Sequence, residues 1–187
     1  MLNNFYDKFI FTGTLKFTHS NFYLTNIPFL ISPVETLTGI SSVQDAEFLK
    51  KLYLAVKKST MQGLLPQFET NLGMTREKET ELIREFFVFS GWGAIQVIDM
   101  QIEAKRAIIV VDNSPFAEAL KGKSSLPVDT IMRGTLAGLF SAVFKEEIDC
   151  VEVECAALNC ERCKFIIKPK VEFDFTNASV QQQLSHE

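Results

Sequence analysis

The sequence predicts an α+β domain: an antiparallel sheet with helices packed on one face, preceded by an N-terminal β-hairpin extension. Three observations lead there. Runs of strand-like composition come in pairs joined by short turns. Helical runs are partly segregated from them, in the order hairpin, two long helices, two strands, two helices, two strands. Residues 106–111, RAIIVV, are apolar on both faces, which suits a central strand of a covered sheet.

The elements follow in order. Residues 8–18 and 22–31 are rich in Phe, Thr, Ile and Tyr and read as a hairpin turning at His19, Ser20 and Asn21. Residues 33–40 read as a loop around Pro33 and Gly39. Ser41 followed by Gln44 resembles a capping box opening a helix to about Leu65, with Leu49, Leu52, Tyr53, Val56 and Leu64 at helical spacing. Pro66 ends it. Thr75 suits the cap of a second helix, with Glu77 and Glu79 in its first turn and an apolar face of Leu82, Ile83, Phe86, Phe87 and Phe89. Gly91 and Gly93 close it around Trp92. Strands 94–102 and 106–111 are joined by a charged turn at 103–105. Asn113 or Ser114 with Pro115 starts a short helix. A helix from Asp129 to Lys145 carries Gly134 and Gly138 one turn apart. Strand-like runs at Ile148–Cys155 and Lys164–Lys168 follow, and the polar end SVQQQLSHE reads as frayed. The predicted division is an N-terminal β-rich extension at 1–40, a ligand-binding domain at 41–175 and a flexible tail at 176–187.

Composition narrows the function. Of 187 residues, 47% are hydrophobic and 22% charged, enough to bury a core, and 17 are Phe. A net charge of −4 and a pI near 5.3 argue against a nucleic-acid surface. No apolar run is long enough to span a membrane, and the start lacks a signal-peptide pattern. The expectation is a cytoplasmic protein whose thiols stay reduced. His19 in a turn and His186 in the tail are best read as solvated.

All four cysteines lie within residues 150–163. Cys160-x-x-Cys163 has the spacing of a zinc knuckle, a weak signal alone. Cys150 alternates with Val151 in an apolar strand and reads as core. Cys155 and Cys163 could face each other across a hairpin. Glu152 and Cys155 point to opposite faces of a flat strand, so both reach one metal only if the strand bulges or ends near Val153–Cys155. Asp129 is also explained as a helix N-cap. The residues leave three readings open: a metal site, reduced structural thiols, or a redox pair.

The strings RGTLAGLFSAVF and VEVECAALNCERCKFII resemble the 4-vinyl reductase domain family over about residues 107–168. That pattern has a Gly-containing helix, Glu-x-x-Cys, a small-residue turn with Gly, and a second Cys followed by x-Phe. Glu152, Cys155, Cys163 and Phe165 fill these places. Asn159 stands where Gly is usual, and Asn tolerates a left-handed backbone. Asp129 stands where sensor members have a further cysteine ligand, and Cys160 is an extra thiol. The first hundred residues match only in kind. The resemblance implies a fold like the TRAPP trafficking subunits and haem-based nitric oxide sensors, and commonly a dimer. It also implies a structural zinc held by Cys155, Cys163 and Glu152, with Asp129 or Cys160 as fourth ligand.

The expected function is a small-molecule-binding module for an apolar or aromatic ligand, with no catalytic constellation and no nucleotide fingerprint. A cavity between helices and sheet would be walled by Tyr53, Phe86, Phe89, Trp92, Ile108 and Val110, although each of these is also explained as core packing. Two alternatives stand beside it: an enzyme acting on a hydrophobic or tetrapyrrole-like substrate, and an assembly subunit. The Phe-rich N-terminal segments are expected to cover a neighbouring copy in a homodimer.

Overall fold

The computed structural model describes residues 15–24, 27–43, 45–64, 84, 87–88 and 90–184. Three short strands open it: β1 (Leu15–Thr18), β2 (Asn21–Leu24) and β3 (Ile27–Phe29), paired antiparallel in that order. His19 and Ser20 both adopt positive φ (49° and 62°), which turns β1 tightly into β2. Phe17 lies opposite Phe22, with ring centroids 4.7 Å apart.

Residues 33–41 depart from the loop reading. Helix α1 (Val34–Ser41) forms there, with Pro33 at the N-cap position. Its fixed φ suits a helix entry. Gly39 meets no neighbour within 4 Å, so it costs the helix only the usual glycine penalty of about 1 kcal/mol. Ser41 therefore ends a helix and does not cap one. The cap of α2 (Ala46–Ser59) is Asp45, whose Oδ1 accepts from the Glu47 and Phe48 amides. A π-helical turn, Thr60–Leu64, extends α2. The predicted helix start at Thr75, and Leu82, Ile83, Phe86 and Phe89, lie outside the described residues. Arg84, Phe87 and Val88 are helical.

The main sheet is four-stranded and antiparallel, in the order β4 (Ala94–Gln101), β5 (Arg106–Asp112), β7 (Cys163–Pro169), β6 (Ile148–Glu154). Between β5 and β6 run α3 (Pro115–Leu120) and α4 (Thr130–Phe144). Buried residues of α4 (Met132, Leu136, Leu139 and Phe140 among them) form one core with Ile109, Val111, Phe165, Ile167 and Cys150 of the sheet. The predicted boundaries of β4 to β7 and of α4 hold to within a residue or so.

Two features set how α4 meets its neighbours. Gly134 and Gly138 bring α2 very close. A Cβ on Gly134 would lie 2.8 Å from Val56 Cβ and 2.9 Å from the Tyr53 carbonyl oxygen; one on Gly138 would lie 2.6 Å from Thr60 Cβ and 2.8 Å from the Lys57 carbonyl oxygen. Those four residues, at i, i+3, i+4 and i+7, are one face of α2 and its extension. The second feature is the segment after β7. Residues 176–184 are not a loose tail: α5 (Ala178–Gln183) is capped by Asn177 and buries Val180 and Gln183, and Leu184 beyond it is also buried. A polar run can anchor a helix when single amides find backbone partners.

Among the described residues, no helix is long and apolar enough to cross a membrane. Because the close approach leaves no room for a methyl group, Gly134→Ala or Gly138→Ala should each cost about 1–3 kcal/mol as overpacking. Denaturant titration should show lower midpoints with an unchanged slope. Wild-type stability in both variants would contradict the contact.

Candidate functional site

Four side chains converge where α4 begins and the β6–β7 hairpin ends. One ligand atom from each of Asp129, Glu152, Cys155 and Cys163 lies within 4.8 Å of the others. All four residues are at most 2% exposed.

Each is placed by local structure. Asp129 precedes the first turn of α4, yet its side chain makes no capping hydrogen bond. The carboxylate turns inward instead, where Ser114 Oγ donates to its Oδ1 at 2.8 Å. Glu152 and Cys155 reach the same point because β6 is irregular: Glu152 pairs with Phe165 and Glu154 with Lys164, so Val153 is an extra residue. One inserted residue shifts the alternation by one and re-aims the side chains that follow. Cys163 opens β7, and its Sγ accepts from the Ala156 amide at 3.4 Å. A 3₁₀ turn, Ala156–Leu158, joins the two arms and ends at Asn159 with φ 67°, the left-handed backbone that Asn tolerates. Cys160, half-buried, stays outside the group, and Cys150 is fully buried in β6.

The carboxylates are each half-satisfied. The Asp129 amide donates to Glu152 Oε2 at 3.2 Å. Asp129 Oδ2 and Glu152 Oε1 are buried and have no hydrogen-bond partner. Burial raises the pKa of Glu152 well above its ordinary value, and the neighbouring Asp129 charge adds to this. Burial also raises Asp129, against the hydrogen bonds that it accepts. The two thiols act as a pair. A hydrogen bond from Cys163 pulls Cys155 down to about 6, and holding that proton raises Cys163. Two thiolates and two carboxylates, each carboxylate with one free oxygen aimed inward, make a donor set that can hold a tetrahedral divalent cation of the zinc type. The orphaned oxygens are the observation that favours this over a set of reduced structural thiols.

A second buried polar group lies further along β6. Tyr53 OH donates to Asp149 Oδ1 at 2.7 Å and accepts from the Cys150 amide at 2.9 Å, and Lys57 Nζ reaches Asp149 Oδ1 at 2.8 Å. Tyr53 is thus a polar anchor of the sheet edge, and burial raises its hydroxyl pKa. Of the other predicted pocket residues, Trp92 is half-buried and meets Phe87 and Phe116 edge-on, at 5.6 and 5.5 Å between centroids. Phe86 and Phe89 lie outside the described residues. Ile108 and Val110 point to the sheet face opposite Ala107, Ile109 and Val111, which join the α4 core, so the strand residues that face the helix are Ile109 and Val111. Ser114, Arg133 and Gln183 are structurally important and were not singled out by the sequence. Ser114 carried a signal only as a helix cap, which it also provides, accepting from the Ala117 amide.

Residues 107–169 match the vinyl-4-reductase (4VR) domain family, and this part of the chain is a domain of that family. Over almost its whole length the chain shares the fold of the phenol-responsive sensory domain of the transcription activator PoxR. The TM-score is 0.72 at 14% identity, covering 98% of both chains. A trafficking protein particle complex subunit 3 from Naegleria fowleri, covalently bound to palmitic acid, gives a TM-score of 0.48 at 16% identity, over 72% of this chain and 88% of that one. A vinyl-4-reductase family protein from Methanocaldococcus jannaschii gives 0.47 at 16% identity, over 75% and 96%. No curated protein matches the chain in sequence.

The raised carboxyl pKa values give a signed expectation for protein kept in chelator. Folded Asp129 and Glu152 hold protons that their unfolded forms release near pH 4. The folded state therefore binds more protons above that pH, and its stability falls as pH rises toward the folded values. Glu152→Gln should flatten the decline, so its urea midpoint gains on wild type as pH rises from roughly 5 to 8. Parallel curves would show that Glu152 does not titrate in this way.

Proposed function

We propose that the chain is a small-molecule sensor module for a small apolar or aromatic ligand, with one structural zinc held by Asp129, Glu152, Cys155 and Cys163. The observation that carries the sensor reading is the near-complete coverage of a phenol-responsive sensory domain at a TM-score of 0.72. The family match over residues 107–169 and the aromatic group of Phe87, Trp92 and Phe116 support it. The group supplies flat apolar surface, with an indole N–H as a polar handle, as ligand sites for aromatics require.

The zinc reading rests on the four converging donors and on the two carboxylate oxygens that lack partners. A bound ion would neutralise the crowded charge and supply the missing partner. It would also tie the start of α4 to the β6–β7 hairpin, two elements that meet only through folding. With four protein donors such a site has no open position, so its role is structural. We further propose that the module pairs as a homodimer through its N-terminal strands, where Phe17, Leu30 and Ile31 are 65%, 89% and 73% exposed.

Two experiments test these readings. Native mass spectrometry of protein purified without chelator should show a dimer with one zinc per chain. Cys155→Ala or Cys163→Ala should lose both the metal and thermal stability. A metal-free wild-type monomer would overturn both proposals. Phenols and related heterocycles should raise the melting temperature in a saturable way, while polar sugars should not. Trp92→Ala should remove that shift in a folded protein. The absence of any shift across an aromatic panel would count against the sensor reading.

A further inference from the structure

The helix α5 touches the cluster only through backbone, and its contacts connect two of the four ligands. Gln183, 4% exposed, presents its side-chain amide to a single residue of β6: Oε1 accepts from the Glu152 amide at 2.8 Å and Nε2 donates to the Glu152 carbonyl oxygen at 2.7 Å. Glu152 is therefore gripped by its main chain from outside the sheet while its carboxylate lies inside the cluster. The Gln183 carbonyl oxygen accepts from Arg133 at 2.8 Å. Arg133 in turn sits one helical turn after Asp129, joined to it by the first backbone bond of α4. Both carboxylate ligands thus stand next to a holding point of α5.

From this geometry we infer that α5 is a latch whose docking is set by occupancy of the Asp129–Glu152–Cys155–Cys163 cluster. The inference rests on the metal reading above. With no cation, two buried carboxylate oxygens lack a partner. The adjustable parts that can separate or solvate them are the bulge at Val153 and the first turn of α4. A bulge lacks regular ladder bonds and yields more easily than the strand around it. A shift at the bulge moves the Glu152 amide and carbonyl, and a shift of the α4 start moves Arg133. Either one pulls on Gln183. A six-residue helix has little stability of its own, so α5 released from these partners unfolds. Binding free energies couple in both directions, so weakening the latch must weaken the metal.

The test is hydrogen exchange on the full chain, zinc-loaded and after chelator, with metal content measured in parallel. Removing zinc should speed exchange at residues 178–184 at least tenfold while β5 stays protected. In a competition titration against a colorimetric zinc chelator, Gln183→Ala should weaken zinc at least fivefold, although residue 183 donates no ligand atom. Exchange at 178–184 that changes less than twofold on zinc removal would overturn the latch and leave the metal site standing. If stripping also unprotects β5, the titration decides alone, and wild-type zinc affinity in Gln183→Ala overturns the inference. Protein that takes up no zinc at all removes the metal reading and the latch with it.

Discussion

Strand β6 lies at an edge of the main sheet, and its outward backbone groups are buried. An unpaired buried amide or carbonyl costs a few kcal/mol, so this edge has to be satisfied. The fold does it with side chains. Ser141 of α4 accepts from the Ile148 amide, and Tyr53 of α2 accepts from the Cys150 amide. Arg133 of α4 donates to the Cys150 carbonyl oxygen, and Gln183 of α5 takes both groups of Glu152. Three helices are thereby fixed to one strand at alternate residues, the spacing at which an antiparallel edge presents its outward groups. The strand cannot recruit a foreign strand there, and every helix that covers it is held at a defined height.

That arrangement demands that α2 come close enough for Tyr53 and Lys57 to reach β6. The two glycines of α4 make it possible. With side chains at Gly134 and Gly138, α2 would stand off, and the short bonds from Tyr53 to Asp149 and Cys150 would lengthen beyond use. The ion pair of Lys57 with Asp149 belongs to the same constraint. Both groups are nearly buried, and such a pair is weak evidence of stability, because desolvation offsets most of its attraction. Its physical effect is to exclude arrangements in which either charge is left alone. The Arg133 guanidinium completes the contact by lying over the Tyr53 ring, 4.7 Å from its centroid.

The sequence was most informative where the signal is local. Alternation and turn composition located β4 to β7, and the Gly-containing run located α4. The family pattern picked out Glu152, Cys155 and Cys163 together. Asp129 was ambiguous because an acid before a helix has a sufficient local explanation as a cap. Only the inward turn of its side chain toward Ser114 distinguishes the two roles. The geometric objection to Glu152 and Cys155 sharing one point was sound for a flat strand, and the register shift at Val153 is what removes it. Lys57, Arg133 and Gln183 were not legible. Each is a polar residue in a helix, and the partners that bury it come from elements at least 17 residues away along the chain.

The loop from β5 into α3 links the two groups of residues from which a function is built. Ser114 ends that loop, caps α3 and donates to Asp129. Two residues later, Phe116 packs edge-on against Trp92. Gly93, next to Trp92, lies so close to the same loop that a Cβ there would meet the Asp112 carbonyl oxygen at 2.8 Å. Its φ of 106° is open to glycine and strained for other residues. Aromatic cluster, loop and carboxylate are therefore in direct contact from end to end. Interiors packed to crystal-like density do not absorb small displacements. A change in the position of Phe116 is carried by two covalently joined residues to the hydroxyl that orients Asp129.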